Sequence, residues 1–379
     1  MGNPPIIAFE KTTVDSSSPV QPQRLGRLLR RLVDIYSPSG KEEEILHFVS
    51  GYLRRRGLKS ILQPVDENRF NLVLMPPNGE PRLAFVGHLD TVVAYDLEEY
   101  GYGEDGDRVT GLGTADMKAG CAAMVEAYLA VQNAGISAPP VALCLVVGEE
   151  EDGDGAERLV EEYTFPWAVI GEPTDMRPCL SNYGYLEIHL STAGRRVHAS
   201  LANRGGNPVE VMMHTITRIA QYMESTRPTL VYNIRDVFSS RAGFAVPDRC
   251  EAWVDIHLPP VAPVGEIAAE LEEIIESEKR RYPSVEKSLR LATIDAGYEL
   301  PEKGPFVETL KEVFFGSGLS WAPVPFVSQC DANRLWRAGV KPVLIGPGSL
   351  ESAHARDESV SFRQTILAAQ FYYNLAMRM

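Results

Sequence analysis

Cysteine is scarce in this sequence, and its spacing excludes both a disulfide framework and a four-thiolate metal site. The 379 residues include five cysteines, none in a Cys-x-x-Cys pair: Cys121, Cys144, Cys179, Cys250 and Cys330. A small, odd number without paired spacing is typical of reduced, buried thiols. We therefore expect a cytoplasmic protein without structural disulfides.

Long hydrophobic runs and blocks of positive charge are also missing. No window approaches the run of about 18 apolar residues that a membrane span requires. The polar segment 1–22 has neither the basic region nor the apolar stretch of a secretion signal, so we expect a flexible tail there. The net charge of −14 repels phosphates and anionic lipids, so neither a nucleic acid nor a membrane is an expected partner.

What the chain does contain is enough apolar sequence for a sizeable core. Hydrophobic residues make up 44% and charged residues 23%, which is typical of globular proteins. Ser39 and Glu42 have capping-box spacing ahead of an apolar periodic segment, which predicts the start of a helix. At this length we expect two domains, or one large domain that carries an insertion.

The order of predicted elements indicates an α/β fold with an insertion. Short apolar strands alternate with helices, as in a mostly parallel sheet with flanking helices. Between these parts, "YGYLEIHLSTAG" alternates apolar and polar residues like an antiparallel strand with one exposed face, and further helices and strands follow it. We therefore assign residues 23–183 and 295–379 to the larger domain and 184–294 to an inserted α+β domain.

Polar residues follow four predicted strands, and another acidic residue precedes a helix. Because sites in open α/β sheets form at the carboxyl ends of strands, residues far apart in sequence can converge there. The sequence thus predicts one site. Its candidates are His88 and Asp90 in "LAFVGHLD", Asp116 in "GLGTADMKAG", Glu149 to Glu151 in "CLVVGEEE", Glu172 in "WAVIGEP", and His354 in "VLIGPGSLESAH".

The charge of this set favours bound cations. The glutamate run alone is more typical of a hydrated turn, but the other clusters favour a site. Five carboxylates around one pocket would force protonation unless cations are present, and two divalent ions remove that difficulty. Imidazole and carboxylate ligands suit zinc, and also cobalt or manganese. We therefore predict a hydrolytic centre with two divalent metal ions.

Five motifs are similar, in order and over nearly the whole chain after the tail, to those of a co-catalytic zinc family. That family includes acetylornithine deacetylase, succinyl-diaminopimelate desuccinylase, aminoacylases and carboxypeptidase G. The resemblance implies a zinc-peptidase-like catalytic domain with an inserted lid and dimerisation domain. The motifs are "GHLDTV", "GLGTADMKAG", "GEEEDG", "GEPT" and "GPGSLESAHARDE".

The resemblance also implies a role for each candidate. Asp116 would bridge both ions, with His88 and Glu172 completing one metal site and His354 and one glutamate of the run completing the other. Asp90 would orient the ring of His88, as carboxylates beside metal-binding histidines commonly do.

A second glutamate of the run would act as the general base. The family pattern Asp-Glu-Glu-x-Gly, laid on "EEEDG", makes Glu150 the base and Glu151 the metal ligand. The alternative register loses both flanking matches and moves these roles to Glu149 and Glu150. Since side chains alternate along an extended segment, the choice decides which carboxylate faces the metals.

The inserted domain matches the family at one histidine and departs from it at two positions. His198 in "RRVHASLANRGG" corresponds to a histidine that reaches an active site, often that of the partner in a homodimer, and stabilises the oxyanion. Phe244 stands where the family commonly has asparagine, and His257 where it has arginine. A histidine does not reproduce a bidentate guanidinium, so recognition of a substrate carboxylate is in question.

We therefore expect a two-metal hydrolase that cleaves the amide bond of a small N-acylated amino acid, of the acetylornithine or acetyl-lysine type. A dipeptidase or carboxypeptidase acting on a short peptide is the alternative within the family. A catalytically silent protein that binds a small ligand is the alternative from another class.

Overall fold

The computed structural model describes residues 19–134, 139–204 and 206–379. Residues 1–18, most of the predicted tail, lie outside the described residues. The α-helices are α1 (Pro22–Asp34), α2 (Glu43–Arg54), α3 (Ala119–Asn133), α4 (Asp154–Glu162), α5 (Pro208–Thr226), α6 (Val264–Arg281), α7 (Pro305–Gly316), α8 (Asp331–Arg337) and α9 (Phe362–Ala376).

Strands are distributed over a large sheet, an antiparallel sheet and two small sheets. They are β1 (Ile61–Pro64), β2 (Phe70–Leu74), β3 (Leu83–His88), β4 (Gly103–Asp105), β5 (Arg108–Thr110), β6 (Val141–Val146), β7 (Trp167–Ile170), β8 (Ser181–Asn182), β9 (Gly184–Ala193), β10 (Val231–Ser239), β11 (Arg249–Leu258), β12 (Glu286–Asp295), β13 (Tyr298–Glu299), β14 (Pro325–Phe326), β15 (Lys341–Leu344) and β16 (Ser359–Ser361).

The six-stranded sheet has the order β1-β2-β6-β3-β7-β15. The strands β6, β3, β7 and β15 run parallel, whereas β1 and β2 form an antiparallel edge. β3 and β6 are buried throughout, as expected for central strands covered by helices on both faces. This is the mixed α/β fold with a mostly parallel sheet that the alternating pattern predicts.

Helix α3 lies in the centre of this larger part and is buried on nearly every side. It packs on β3 and β6 and against α1 and α9. Its small residues allow the close approach, since a Cβ at Gly120 would lie 2.2 Å from the carbonyl oxygen of Gly171. The helix therefore fixes the segment before it, which carries Asp116, against the carboxyl ends of the strands.

The antiparallel sheet has the order β10-β11-β9-β12 and an apolar cluster of its own. On β9, Leu186, Ile188 and Leu190 are buried, while the residues between them are half-exposed, as the sequence pattern predicts. Helices α5 and α6 pack on this sheet. We propose this unit, from β9 to β12, as the inserted domain.

No helix among the described residues is long and apolar enough to cross a membrane.

Candidate metal centre

The site lies at the carboxyl ends of the parallel strands. His88 is the last residue of β3, and Glu172 follows β7 by two residues. Glu149 and Glu150 lie in the turn after β6, and His354 lies in the loop after β15. Asp116 lies in the kinked segment Thr114–Lys118 that leads into α3.

Three buried side chains form the first group of possible metal ligands. His88, Asp116 and Glu172 each offer one ligand atom, and these atoms lie within 4.8 Å of one another. The Nε2 atom of His88 lies 3.2 Å from Oδ1 of Asp116 and 3.9 Å from Oε1 of Glu172. Imidazole and carboxylate atoms at this separation can share one metal ion.

A second group contains Asp116, Glu150 and His354. The Nε2 atom of His354 lies 2.9 Å from Oε2 of Glu150 and 3.6 Å from Oδ2 of Asp116. Asp116 thus directs one carboxylate oxygen to each group, which is the geometry of a bridging ligand. The backbone of His354 has a φ of 59°, a left-handed conformation that a non-glycine residue adopts at a cost.

The electrostatics of the groups fit a cation site. Burial and the charge of Asp116 raise the pKa values of Glu172 and Glu150. One carboxylate oxygen of each, Oε1, is buried without a hydrogen-bond partner among the described residues. The hydrogen bond to Glu150 raises the pKa of His354 to about 9. Divalent ions would relieve this repulsion and use the unpaired oxygens, so the residues present fit a metal centre.

The three adjacent glutamates occupy different environments. Glu150 belongs to the second ligand group, and the Oε2 atom of Glu149 lies 3.9 Å from Nε2 of His88. Glu151 is exposed, lines the cavity at its edge, and belongs to neither group. The structure therefore does not place Glu150 as a free base beside a ligand Glu151, and it favours the alternative register.

The physical reason is the local conformation of the run. Strand β6 ends at Val146, before the glutamates. Gly148 then adopts a φ of 71°, and its carbonyl accepts a hydrogen bond from the amide of Gly153 at 2.6 Å. In this closed turn adjacent side chains can point into the same site, so the alternation of an extended strand does not apply.

Asp90 is fully buried beside His88, as the resemblance implies. Its Oδ1 atom lies 3.5 Å from Nδ1 of His88. Its Oδ2 atom accepts hydrogen bonds from the Ser39 hydroxyl at 2.7 Å and the Glu150 amide at 3.0 Å. Burial opposes ionisation, but contacts with His88 and Ser39 outweigh it and lower the pKa of Asp90. Ser39 is therefore no helix cap, and α2 begins at Glu43.

Sequence reasoning did not single out Glu358, which organises the segment around Asp116. This buried carboxylate accepts hydrogen bonds from the amides of Gly113 and Ala115 at 2.8 Å and of Asp116 at 3.0 Å. Glu358 lies four residues after His354. One short segment therefore supplies a possible ligand, His354, and also holds the loop that carries a second possible ligand, Asp116. The sequence signal that could have identified Glu358 is its place at the end of "HARDE" in the last motif.

His198 does not lie at the metal centre within one chain. It is exposed, its Nδ1 atom lies 2.9 Å from the hydroxyl of Ser200, and it is absent from the described lining of the cavity. Phe244 is 91% exposed and is tied to the same loop, because its carbonyl accepts from the amide of Ala199. These two residues therefore lie on an exposed part of the unit from β9 to β12.

A cavity of about 760 Å³ separates the ligand groups from the polar face of the antiparallel sheet. Glu149, Glu150 and Glu172 line its metal side. The opposite wall contributes Tyr185, Glu187, Arg235, Asp255, His257 and Thr293. A substrate bound at the metals would therefore contact the inserted domain as well.

Comparison with known proteins identifies the class that this fold and site define. The model of the peptidase family M20/M25/M40 matches residues 84–378, and the chain belongs to that family. It is accordingly a metal-dependent hydrolase, and the residues above form its candidate metal centre.

The chain resembles acetylornithine deacetylases in sequence. It is 26% identical over 340 residues to that of Klebsiella pneumoniae, covering 85% of this chain and 87% of the relative. It is 25% identical over 336 residues to that of Photorhabdus laumondii, covering 84% and 86%. Both matches therefore cover more than four fifths of each chain.

Solved structures confirm the fold. A tripeptidase from Staphylococcus aureus superposes with a TM-score of 0.79 at 20% identity, covering 94% of this chain and 98% of the other. Human carnosine dipeptidase 1 superposes with a TM-score of 0.74 at 16% identity, covering 94% and 96%. At these identities the likeness concerns the fold alone.

Proposed function

We propose that the protein is a two-metal amidohydrolase that cleaves the amide bond of a small N-acylated amino acid, of the acetylornithine or acetyl-lysine type. The observation that carries the proposal is the position of Asp116 between His88 and Glu172 on one side and Glu150 and His354 on the other. The similarity to acetylornithine deacetylases supports the substrate type.

Zinc is the metal that the ligand set favours, and cobalt or manganese would also suit it. His88, Asp116 and Glu172 would hold one ion, and Asp116, Glu150 and His354 the other. Such ions polarise a substrate carbonyl and lower the pKa of a bound water. The silent-binder alternative loses support because both ligand groups are complete.

Glu149 is the residue we assign as general base and acid. Its side chain is 11% exposed, lines the cavity, and belongs to neither ligand group. It would accept a proton from the attacking water and later donate it to the departing amine. Asp90 would hold the His88 ring through Nδ1, which leaves Nε2 for the metal.

His198 requires a second copy of the chain in this account. We propose a homodimer through the inserted domain, in which His198 enters the active site of the other copy and stabilises the oxyanion. The exposed apolar residues of strand β10 support such an interface: Val231, Ile234, Val237 and Phe238. We also propose a cytoplasmic location, which the five free, buried cysteines support.

Cleavage of a dipeptide or short peptide is the second candidate. The cavity volume of about 760 Å³ falls in the range of sites that enclose ligands larger than an acetylated amino acid.

A substrate panel on protein of known metal content tests the function. The metal-free chain would be loaded with zinc, cobalt or manganese and assayed with Nα-acetylornithine, Nα-acetyl-lysine, and dipeptides. We expect metal-dependent release of acetate from the acetylated amino acids. Faster cleavage of dipeptides would favour the second candidate, and metal binding without any turnover would favour a silent binder.

A further inference from the structure

The cavity wall opposite the metals has one permanent cation. Among the described residues that line the cavity, Arg235 is the only lysine or arginine. The position where the family commonly has arginine holds His257, whose burial lowers its pKa. A carboxylate that enters this cavity therefore meets a guanidinium from β10 rather than one from β11.

Arg235 lines the cavity at an irregularity in strand pairing. Ile234 pairs with Val254 and Asp236 pairs with Trp253, so Arg235 is the extra, unpaired residue of a β-bulge. Bulges change the direction in which a side chain points and occur preferentially beside active sites. The Arg235 guanidinium lies 3.2 Å from Asp255, two residues before His257.

The surrounding carboxylates hold the guanidinium in place. Arg235 donates a hydrogen bond to Glu187 at 2.6 Å, and its Nη1 atom lies 3.2 Å from Oδ1 of Asp255. Its Nε atom lies 3.5 Å from Oδ2 of Asp236. The Tyr185 hydroxyl donates to Asp255 at 2.8 Å and so fixes that carboxylate in turn. Part of the five-donor guanidinium is thereby used for positioning.

Among the side chains of Arg235, Glu187 and Asp255, that of Arg235 has the largest exposed fraction. The Arg235 side chain is 42% exposed, compared with 15% for Glu187 and 10% for Asp255. The guanidinium is therefore more accessible to an entering group than either of these two carboxylates is. A planar guanidinium with free donors suits bidentate binding of a carboxylate.

We propose that Arg235 is the specificity-determining residue that binds the substrate carboxylate, in place of an arginine at position 257. This inference rests on the proposed function, since it concerns the same cavity and an N-acylated amino acid. It predicts that the enzyme requires the carboxylate of its substrate even though the family arginine is missing.

Three matched amides separate recognition of a carboxylate from recognition of an amine. Nα-acetylornithine has both groups, Nα-acetylnorvaline has only the carboxylate, and N-acetylputrescine has only the amine. For the zinc-loaded wild type we expect kcat/KM to fall about 10- to 100-fold on loss of the carboxylate. If instead N-acetylputrescine equals Nα-acetylornithine, the wall recognises the amine through Glu187 and Asp255, and the proposal is wrong.

Variants assign the effect to this residue. Arg235→Met should raise KM for Nα-acetylnorvaline about 10- to 100-fold and should not raise KM for N-acetylputrescine, since removal of the guanidinium frees Glu187 and Asp255 to attract its amine. Arg290→Met is the matched control, because both guanidinium groups lie near the Trp253 ring, at 5.8 and 5.6 Å, and only Arg235 lines the cavity. The double variant Arg235→Met/His257→Arg should recover part of the loss.

Calorimetric binding of Nα-acetylnorvaline distinguishes failure of this inference from failure of the proposed function. If no amide is cleaved, the function is wrong, but weaker binding to Arg235→Met than to Arg290→Met would still support Arg235. Equal binding by the two variants, with folding and metal content intact, would overturn the inference.

Discussion

Glu149, Glu150 and Glu151 are adjacent in the chain, but their side chains occupy three environments. Glu149 is half-buried outside both ligand groups, Glu150 is a member of the second group, and Glu151 is exposed. Because the side chains are chemically identical, the same substitution at each position compares location alone. Substitutions at the three positions therefore form a matched set of variants.

Glu149→Gln should abolish turnover and retain the metals. Loss of a general base typically lowers kcat by about 10²- to 10⁴-fold, and Glu149 contributes to neither ligand group. Steady-state kinetics and metal analysis measure the two effects. Glu151→Gln is the control and should behave like the wild type, and a larger loss of turnover in Glu151→Gln than in Glu149→Gln would contradict the assignment.

Glu42→Gln should stabilise the protein at high pH. Burial, followed by the charge of Asp90, raises the pKa of Glu42 to about 7, and its Oε2 atom has no hydrogen-bond partner among the described residues. With the folded pKa above the unfolded value, the wild type loses stability as pH rises toward 7, because its folded state resists ionisation. Glutamine can still accept from Arg69.

Thermal unfolding measures this effect. The melting temperature of Glu42→Gln should exceed that of the wild type by about 2–4 °C at pH 8, and the difference should shrink toward pH 4.5. Glu43→Gln is the control, since its side chain is 64% exposed. A difference in melting temperature that grows as pH falls would contradict the raised pKa of Glu42.

At the scale of elements, two chain segments that supply ligands are held together. Strand β16 pairs with β5, and Glu358 bonds the loop that follows β5. His354 lies four residues before Glu358, and the amide of Asp116 is one of the donors to Glu358. Asp116 and His354, two of the three members of the second group, therefore depend on one contact between segments about 240 residues apart.

Glu358→Ala should weaken metal binding about 10- to 100-fold, as loss of a residue that orients a ligand commonly does. Titration of the metal-free protein with cobalt, followed by its visible absorption, measures affinity and ligand geometry together. Glu351→Ala, an exposed position in the same loop, is the control. An unchanged cobalt spectrum and affinity in Glu358→Ala would show that the loop holds Asp116 without it.

Regular elements were predictable from sequence because they depend on local periodicity and burial. The alternation on β9 and the apolar runs of β3 and β6 both predict the observed strands. Ser39 was not predictable in this way, because its hydrogen-bond partner, Asp90, lies 51 residues further along the chain.

Most of the candidate site was predictable because its residues end strands, lie in the loops that follow strands, or precede a helix. His88, Asp116, Glu172 and His354 come together as the sequence predicts. The register of the glutamates depends on a closed turn, and Arg235 lines the cavity at a β-bulge. Neither feature has a local sequence pattern, so both required the structure.

At the scale of the whole molecule, the cavity is divided between two sheets. The six-stranded sheet supplies the possible metal ligands, and the antiparallel sheet supplies the opposite wall. His198 contacts neither side of this cavity in the described residues of one chain. A complete active site in our proposal therefore requires two copies.

Mixing two inactive variants tests this dependence. His198→Ala and Glu149→Gln should each lose turnover, but a mixed dimer contains one site with an intact Glu149 and an intact His198. After exchange of subunits, about a quarter of the wild-type activity should return. Exchange without recovery, shown by tagged subunits, would place His198 outside the partner's site.

The central claim is that Asp116 bridges two ions and that Glu150 is a ligand of one of them. Metal analysis of zinc-loaded wild type, Glu150→Ala and Glu151→Ala tests it most directly. The account predicts about two ions per chain in the wild type and in Glu151→Ala, and about one in Glu150→Ala. A wild type that binds one ion, or a Glu150→Ala variant that retains two while Glu151→Ala loses one, would contradict it.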